Sequence, residues 1–306
     1  MKSVAVTICP GDKIKLSKID PDDTGRYNKE EALQRFSELR EKIDQLQEIL
    51  YAERRRSLLL IFQAMDTGGK DGAIKDLCAG LNPAGLEIRS FKAPSAEELD
   101  HDFLWRAHKA TPGKGMIGLW NRSHYEDVLI VRVHKLVPKK VWKARYDQIN
   151  RFEEILSENG TTIVKFMLHI SKDEQKRRLQ ARLDRPNKWW KFNPNDLTER
   201  ARWGDYQKAY EDAVNNCSTE CAPLVCCVRK SQVGAQRCLG RGRLAHPQRN
   251  GSALSQAFVR SYGDQNQVER WRESALSILE VRFEEFSYRG RCHGADLSGY
   301  FQAIFK

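Results

Sequence analysis

The stretch from Ser57 to Leu81, SLLLIFQAMDTGGKDGAIKDLCAGL, constrains the fold of this chain more than any other. Leu58, Leu59, Leu60, Ile61 and Phe62 form an unbroken apolar run, the pattern of a strand buried on both faces in the parallel sheet of an α/β protein. A glycine turn follows at once. Gly68 and Gly69 let the backbone approach an anion closely, and Lys70 adds a point charge. Ile74, Leu77, Cys78 and Leu81 then recur at i, i+3, i+4 and i+7, which predicts a helix whose N-terminal amides face the same anion. Strand, glycine turn, lysine and helix in that order predict a P-loop. The Walker spacing G-x-x-x-x-G-K-[ST] is met with two changes: Ala64 stands at the first glycine, and Asp71 replaces the hydroxyl residue that ordinarily holds Mg²⁺. Metal binding must then come from elsewhere, and Asp66, inside the loop, is a hard oxygen ligand within reach of a phosphate-bound Mg²⁺.

Other segments alternate between the two periodicities. Leu33, Phe36, Leu39, Ile43, Leu46 and Leu50 give a long helix an apolar stripe after the PDDTG turn at 21–25. Asn82-Pro83 ends the loop's helix, LEIRSF (86–91) is a second strand, and a helix is expected over 95–109. MIGLW (116–120) is a third strand that delivers NRSHYED (121–127) to its C-terminal end, where ligands sit in open α/β sheets. VLIVRVHKLV (128–137) fits helix and strand alike. A helix over 139–158 leads to a fourth strand, TTIVKFMLHI (161–170), and Ser171 with Glu174 predicts a capping box for the next helix. The expected architecture is a parallel sheet with helices on both faces. DRPNKWWKFNPNDLTERARWGD (184–205) is basic, aromatic and turn-rich, suited either to a helical lid over phosphates or to a surface loop with packed tryptophans.

Composition narrows the setting. No apolar run approaches the length of a membrane span, and the start MKSVAVTICPGDK holds too short an apolar stretch for a signal peptide, so a cytoplasmic protein is expected. The net charge of +11 suggests a polyanionic partner. Residues 215–306 hold 13 Lys/Arg against 8 Asp/Glu, so almost half of the excess lies outside the motifs and argues little for nucleic acid. Five of the eight cysteines, Cys217, Cys221, Cys226, Cys227 and Cys238, crowd together at spacings that fit neither a disulfide framework nor a zinc site.

QAMDTGGKDGAIK, LWNRSHYEDVLIVRVHKLVP, FMLHISKDEQKRRLQARLDRPNKWWKF and STECAP resemble the polyphosphate kinase-2 family, in its branch acting on nucleoside mono- and diphosphates, over about residues 20–224. The resemblance implies a P-loop kinase-like fold and Mg²⁺-dependent phosphoryl transfer between inorganic polyphosphate and a nucleotide, ATP among them, by a homo-oligomer with no nucleic-acid or membrane partner. The family's loop G-x-D-x-x-G-K-D falls on Ala64 to Asp71, which gives Asp66 the metal and Gly68, Gly69, Lys70 and Asp71 the phosphate. Asn121 takes a position that is an acid in other branches. Arg122 would contact the transferring phosphate, Asn121, Glu126, Asp127 and Arg132 would meet the nucleotide, and Arg178, Arg182, Lys188 and Lys191 would be lid-side phosphate contacts. The catalytic set implied is Asp66, Lys70, Arg122 and Asp127. The histidines at 101, 108, 124, 134 and 169 need no catalytic role.

After Pro223 the family pattern stops. LVCCVRKSQVGAQRCLGRGRLAHPQRNGSALSQ has no apolar periodicity beyond Val228, whereas reading chosen permitted codons for Ser231 to Cys238 one base later gives Arg-Lys-Trp-Ala-Arg-Asn-Val, which restores the family pattern. A frameshift is inferred, with some helical spacing surviving at 267–286. The expected organisation is an N-terminal extension (1–27), a catalytic domain (28–224, lid about 184–205) and a non-native, largely unstructured tail (225–306). Two other functions stay open: a catalytically impaired polyphosphate-binding protein and an NTP-dependent nucleotide kinase.

Overall fold

The computed structural model describes residues 5–21 and 29–228. In chain order they form β1 (Ala5–Ile8), α1 (Lys29–Glu53), β2 (Ser57–Ala64), α2 (Lys70–Cys78), β3 (Leu86–Ser90), α3 (Ala96–Leu99), α4 (Trp105–Ala110), β4 (Ile117–Asn121), α5 (Ile130–Val133), α6 (Lys139–Glu158), β5 (Thr161–His169), α7 (Lys172–Leu183), α8 (Asn195–Ala201), α9 (Trp203–Cys217) and β6 (Leu224–Val228). The sheet runs β1-β6-β5-β2-β4-β3. Five strands are parallel, and β1 is an antiparallel edge on β6. From β2 the chain first builds outward to β3 and β4 and later adds β5 and β6 on the other side, so strand order reverses at β2. Its C-terminal end is therefore where a crevice opens.

The apolar run of β2 is explained by its two covered faces. Leu60 and Phe62 pack with Leu50 of α1, Ile74 of α2, Leu119 and Val164. Leu59 and Ile61 face the opposite layer, against Ala107 of α4, Phe152 and Leu156 of α6, and Trp120. A third cluster joins α5, α6 and α9 through Leu129, Val133, Tyr146, Ile149, Ala209 and Val214. The helix expected over 139–158 is α6, and its stripe Trp142, Tyr146, Ile149, Phe152 and Leu156 is buried.

Several local expectations are corrected. The helix expected over 95–109 is two short helices: the capping box of Ser95 and Glu98 opens α3, and Asp102 Oδ1 then accepts from Leu104 N at 2.9 Å in the turn before α4. An aspartate that satisfies the backbone locally outcompetes a continuous helix here. At Ser171 the capping box is half made. The Ser171 hydroxyl accepts from Glu174 N, but the Glu174 carboxylate turns instead to Arg177 and Arg178. The undecided segment 128–137 contains only the one-turn helix α5. The folded unit also crosses the expected limits of 28–224. β6 continues to Val228, and β1 pairs with it while Ile14 and Leu16 hydrogen-bond to Asn215 and Glu211 of α9. The remaining tail and the spacing at 267–286 lie outside the described residues.

Candidate active site

Beyond Ala64 the chain turns tightly, with Gly68 N–H donating to Met65 O at 2.9 Å. Thr67 (φ 63°) and Gly69 (φ 98°) are left-handed. At Gly68 the demand is steric: a Cβ there would lie 2.4 Å from Ala64 Cβ and 2.8 Å from Met65 O. Lys70, the first residue of α2, is buried and folds back so that Nζ donates to Ala64 O at 2.8 Å. Burial and the nearby Arg122 cation lower its pKa, against the pull of Asp66, Glu126 and Asp71. The Thr67 hydroxyl is buried without a hydrogen-bond partner among the described residues. Buried polar atoms are almost always paired, so this loop is shaped for an oxygen-bearing ligand.

The end of β4 faces this loop. Asn121 Nδ2 donates to Asp71 Oδ1 at 2.7 Å, and Arg122 Nη2 to Asp66 Oδ1 at 2.6 Å. Burial opposes the charge on Arg122, but Glu126 and Asp66 outweigh it and raise its pKa. Arg122 itself is left-handed (φ 61°), which turns the chain out of the strand while its N–H still bonds Phe62 O at 3.0 Å. Gln63 of β2, its amide oxygen toward Ser123, accepts from Ser123 N at 3.0 Å and Oγ at 2.9 Å and donates to Glu126 Oε1 at 3.1 Å. Burial raises the Glu126 pKa against Arg122 and Lys70, and burial likewise raises that of Asp127. Asp127 is held differently, 3.1 Å from Arg145 and 3.6 Å from Arg106, two arginines that lie over the rings of Phe103 and Phe91.

From the other side comes α7. Arg178 Nη1 donates to Thr67 O at 3.0 Å and Gln175 Nε2 to Asp66 O at 3.0 Å, so one helix face grips the loop. The segment after α7 contains a 3-10 turn, Pro186–Lys191, and then α8. Arg182 ties them together by bonding Lys191 O at 2.9 Å and Asp196 Oδ2 at 3.1 Å. Lys191 Nζ reaches within 3.9 Å of Asp71. Lys188 lies beside Arg185, Lys191 and Arg182, and burial together with these cations lowers its pKa. Trp189 and Trp190 are exposed rather than packed.

The structure thus gathers Asp66, Gly68, Gly69, Lys70, Asp71, Asn121, Arg122, Glu126, Arg178 and Lys191 around one loop, with Arg182 and Lys188 on the segment above. Asp127, next to Glu126 on the same turn, is held apart from the loop by its own arginine pair. Arg132 does not: its guanidinium is taken by Asp212 at 2.6 Å and stacks on Trp142 at 4.4 Å, between α5, α6 and α9. Sequence reasoning missed Gln175, Asp196, Arg106 and Arg145. Gln175 could have been found, since it lies three residues before Arg178 on the same helix face. Asp196 carries no such signal; it faces the site from α8, where burial and then Asp66 raise its pKa. Among the described residues no three His, Cys, Asp or Glu side chains gather as metal ligands. Asp66 and Asp71 flanking a phosphate-shaped loop fit an ion such as Mg²⁺, which takes one or two protein carboxylates and completes its shell with phosphate and water oxygens.

A loop built to receive an anion at the switch point of a parallel sheet, ringed by cations from a neighbouring strand end and from an overlying helical segment, defines a phosphotransferase of the α/β kinase class. The chain belongs to the polyphosphate kinase 2 family: residues 26–238 match the family description "Polyphosphate kinase 2 (PPK2)". It is 50% identical over 216 residues to the AMP/ADP-polyphosphate phosphotransferase of Meiothermus ruber, covering 70% of this chain and 81% of that one. It is 45% identical over 239 residues to the ADP-polyphosphate phosphotransferase of Rhodopseudomonas palustris, covering 73% and 82%. The crystal structure of polyphosphate kinase 2 from Arthrobacter aurescens TC1 superposes with a TM-score of 0.69 at 46% identity, covering 71% of this chain and 79% of that chain.

Proposed function

We propose that this chain transfers a phosphoryl group between inorganic polyphosphate and a nucleoside mono- or diphosphate, AMP and ADP among them, with ATP as a product or donor. The observation that carries the reading is the convergence on one loop of a buried lysine, an unpartnered hydroxyl and the guanidinium groups of Arg122 and Arg178. Family membership and the names of the relatives agree with it. A phosphoryl group in transit needs positioning and charge stabilisation more than a covalent partner, and this site supplies cations and oriented amides without a nucleophile triad.

In this reading Lys70 and the loop amides hold the phosphate at the transfer point. Arg122, now paired with Asp66, exchanges that carboxylate for the phosphate oxygens. Arg178, Arg182, Lys188 and Lys191 follow the polymer and exclude water. Glu126 and Asp127 lie on the acceptor side, and the structure puts Arg145 and Arg106 beside Asp127. Mg²⁺ bound at Asp66, with Asp71 in reach, would neutralise phosphate charge. A cytoplasmic homo-oligomer that takes neither nucleic acid nor membrane as partner completes the proposal; no helix among the described residues is long and apolar enough to cross a membrane.

A coupled assay with ADP, Mg²⁺ and polyphosphate tests this. ATP formation is the expected result. Binding of polyphosphate without turnover, or activity only with a nucleoside triphosphate donor, would overturn it.

A further inference from the structure

Beneath the 121–127 turn lies a charged cluster that the transfer chemistry does not use. Lys165 sits in the middle of β5, nearly fully buried, and Glu153 of α6 is fully buried. Lys165 Nζ donates to a carboxylate oxygen of Glu153, to Cys217 O at the end of α9, and to Tyr125 OH at 3.0 Å. Tyr125 OH in turn donates to the other Glu153 oxygen at 3.0 Å, and His124 Nε2 lies 3.3 Å from that same oxygen. Tyr125 and His124 belong to the 3-10 turn His124–Asp127, which carries Glu126 and Asp127 and follows Arg122. Two helices, α6 and α9, and one strand, β5, therefore meet beneath a single turn.

Stability alone is a poor reason for such a cluster. Removing two charges from water is costly, and a buried ion pair is often matched or exceeded in stability by apolar residues of the same volume. The turn has a particular need, however. Arg122 occupies a left-handed backbone conformation that a side chain rarely adopts, and such a conformation persists only when its surroundings over-determine it. On the upper side Gln63 fixes Ser123 and Glu126. On the lower side Tyr125 OH meets Glu153 and Lys165, with the Cys217 thiol beside it, and His124 lies against Glu153.

We propose that Lys165 and Glu153 are positioning residues for phosphoryl transfer: by hydrogen-bonding Tyr125 and lying against His124 from below, they set the orientation in which Arg122 meets the transferring phosphate and Glu126 and Asp127 meet the acceptor. The inference rests on the proposed function, so the readouts include acceptor affinity as well as turnover. The primary variant is Lys165→Met with Glu153→Leu, which removes both charges together and leaves neither unpaired. Tyr125→Phe, which deletes one hydroxyl and keeps the buried ring, accompanies it.

The double variant is expected to fold with a lowered Tm, because Tyr125 OH and Cys217 O lose partners, while kcat falls at least 10-fold. ADP affinity, measured by calorimetry, should weaken, and KM for polyphosphate, which depends on the loop and lid, should hold. Tyr125→Phe should lower kcat several-fold while Tm falls only a few degrees, since Lys165 and Glu153 still pair with each other. A folded double variant with parental kcat and ADP affinity would overturn the proposal. Should the double variant fail to fold, Tyr125→Phe decides alone, and parental kcat and ADP affinity in it would overturn the proposal equally. A parent that binds ADP without transferring phosphate would sink the proposed function, while the change in ADP affinity between parent and variants would still test the clamp.

Discussion

Gly68→Ala isolates the steric basis of the loop after β2. Gly68 is not in the left-handed region, so the objection to a side chain is space alone: the added Cβ would lie 2.4 Å from Ala64 Cβ and 2.8 Å from Met65 O. Both neighbours are held, Ala64 as the last residue of a central strand and Met65 by its carbonyl bond to Gly68 N–H. The loop must therefore open. Overpacking of this kind costs about 1–3 kcal/mol, which in a domain of this size lowers Tm by about 2–12 °C. The functional loss should be larger, because opening the loop shifts the carbonyls that hold Lys70 and Arg178, and a displacement of about 1 Å at a transfer site can cost about 100-fold in rate. Scanning calorimetry and initial rates of ATP formation measure the two effects. Adding Ala64→Gly removes the 2.4 Å contact and leaves the one to Met65 O, so Tm should recover in part and the rate less. Parental Tm and rate in Gly68→Ala, or no recovery of Tm in the pair, would refute the steric account.

Asp66→Asn should reduce transfer by at least 100-fold at saturating Mg²⁺, while a partly exposed ion pair with Arg122 is worth no more than about 1 kcal/mol of stability; activity within a few-fold of the parent would contradict a metal role. Glu126→Gln separates function from stability. Burial raises the Glu126 pKa, so the folded state holds its proton more tightly than the unfolded chain; this contribution to stability is full below the unfolded pKa, is lost as pH rises from there through the folded pKa, and leaves a constant penalty above it. The variant should therefore be as stable as the parent or more so at neutral pH, with the difference vanishing below the usual carboxylate pKa, while acceptor KM rises. Urea titrations across pH would show it, and a variant less stable at neutral pH than in acid, relative to the parent, would contradict the sign. Arg182→Gln should weaken polyphosphate binding and flatten its dependence on salt, since each cation engaged by a polyanion releases counterions. Equal salt slopes for variant and parent would remove Arg182 from the polymer path.

The sequence alone determined the parts of this protein that depend on near neighbours. The β2 run, the glycine turn and Lys70 are contiguous, and their spacing states both the buried strand and the anion-receiving loop that follows it. The apolar stripe of α6 likewise follows from 3.6-residue periodicity, and Asp66 was legible because it sits inside the loop pattern itself. The helix expected over 95–109 was not legible as two helices, because an apolar count cannot weigh the hydrogen bond that the Asp102 carboxylate accepts from the Leu104 N–H. Tertiary structure decided the rest. It drew Arg132 away from the loop by offering Asp212, 80 residues on, and the ring of Trp142, which together fix a guanidinium more firmly than a solvent-facing site. It brought β1 onto β6, joining the two ends of the described chain in one sheet. It also assembled Lys165, Glu153, Tyr125 and His124 under the active-site turn, from a strand, a helix and a turn whose separations in sequence carry no period. A buried charge is tolerated only where partners converge on it from several directions, and that convergence is a property of the packed fold that no single stretch of residues contains.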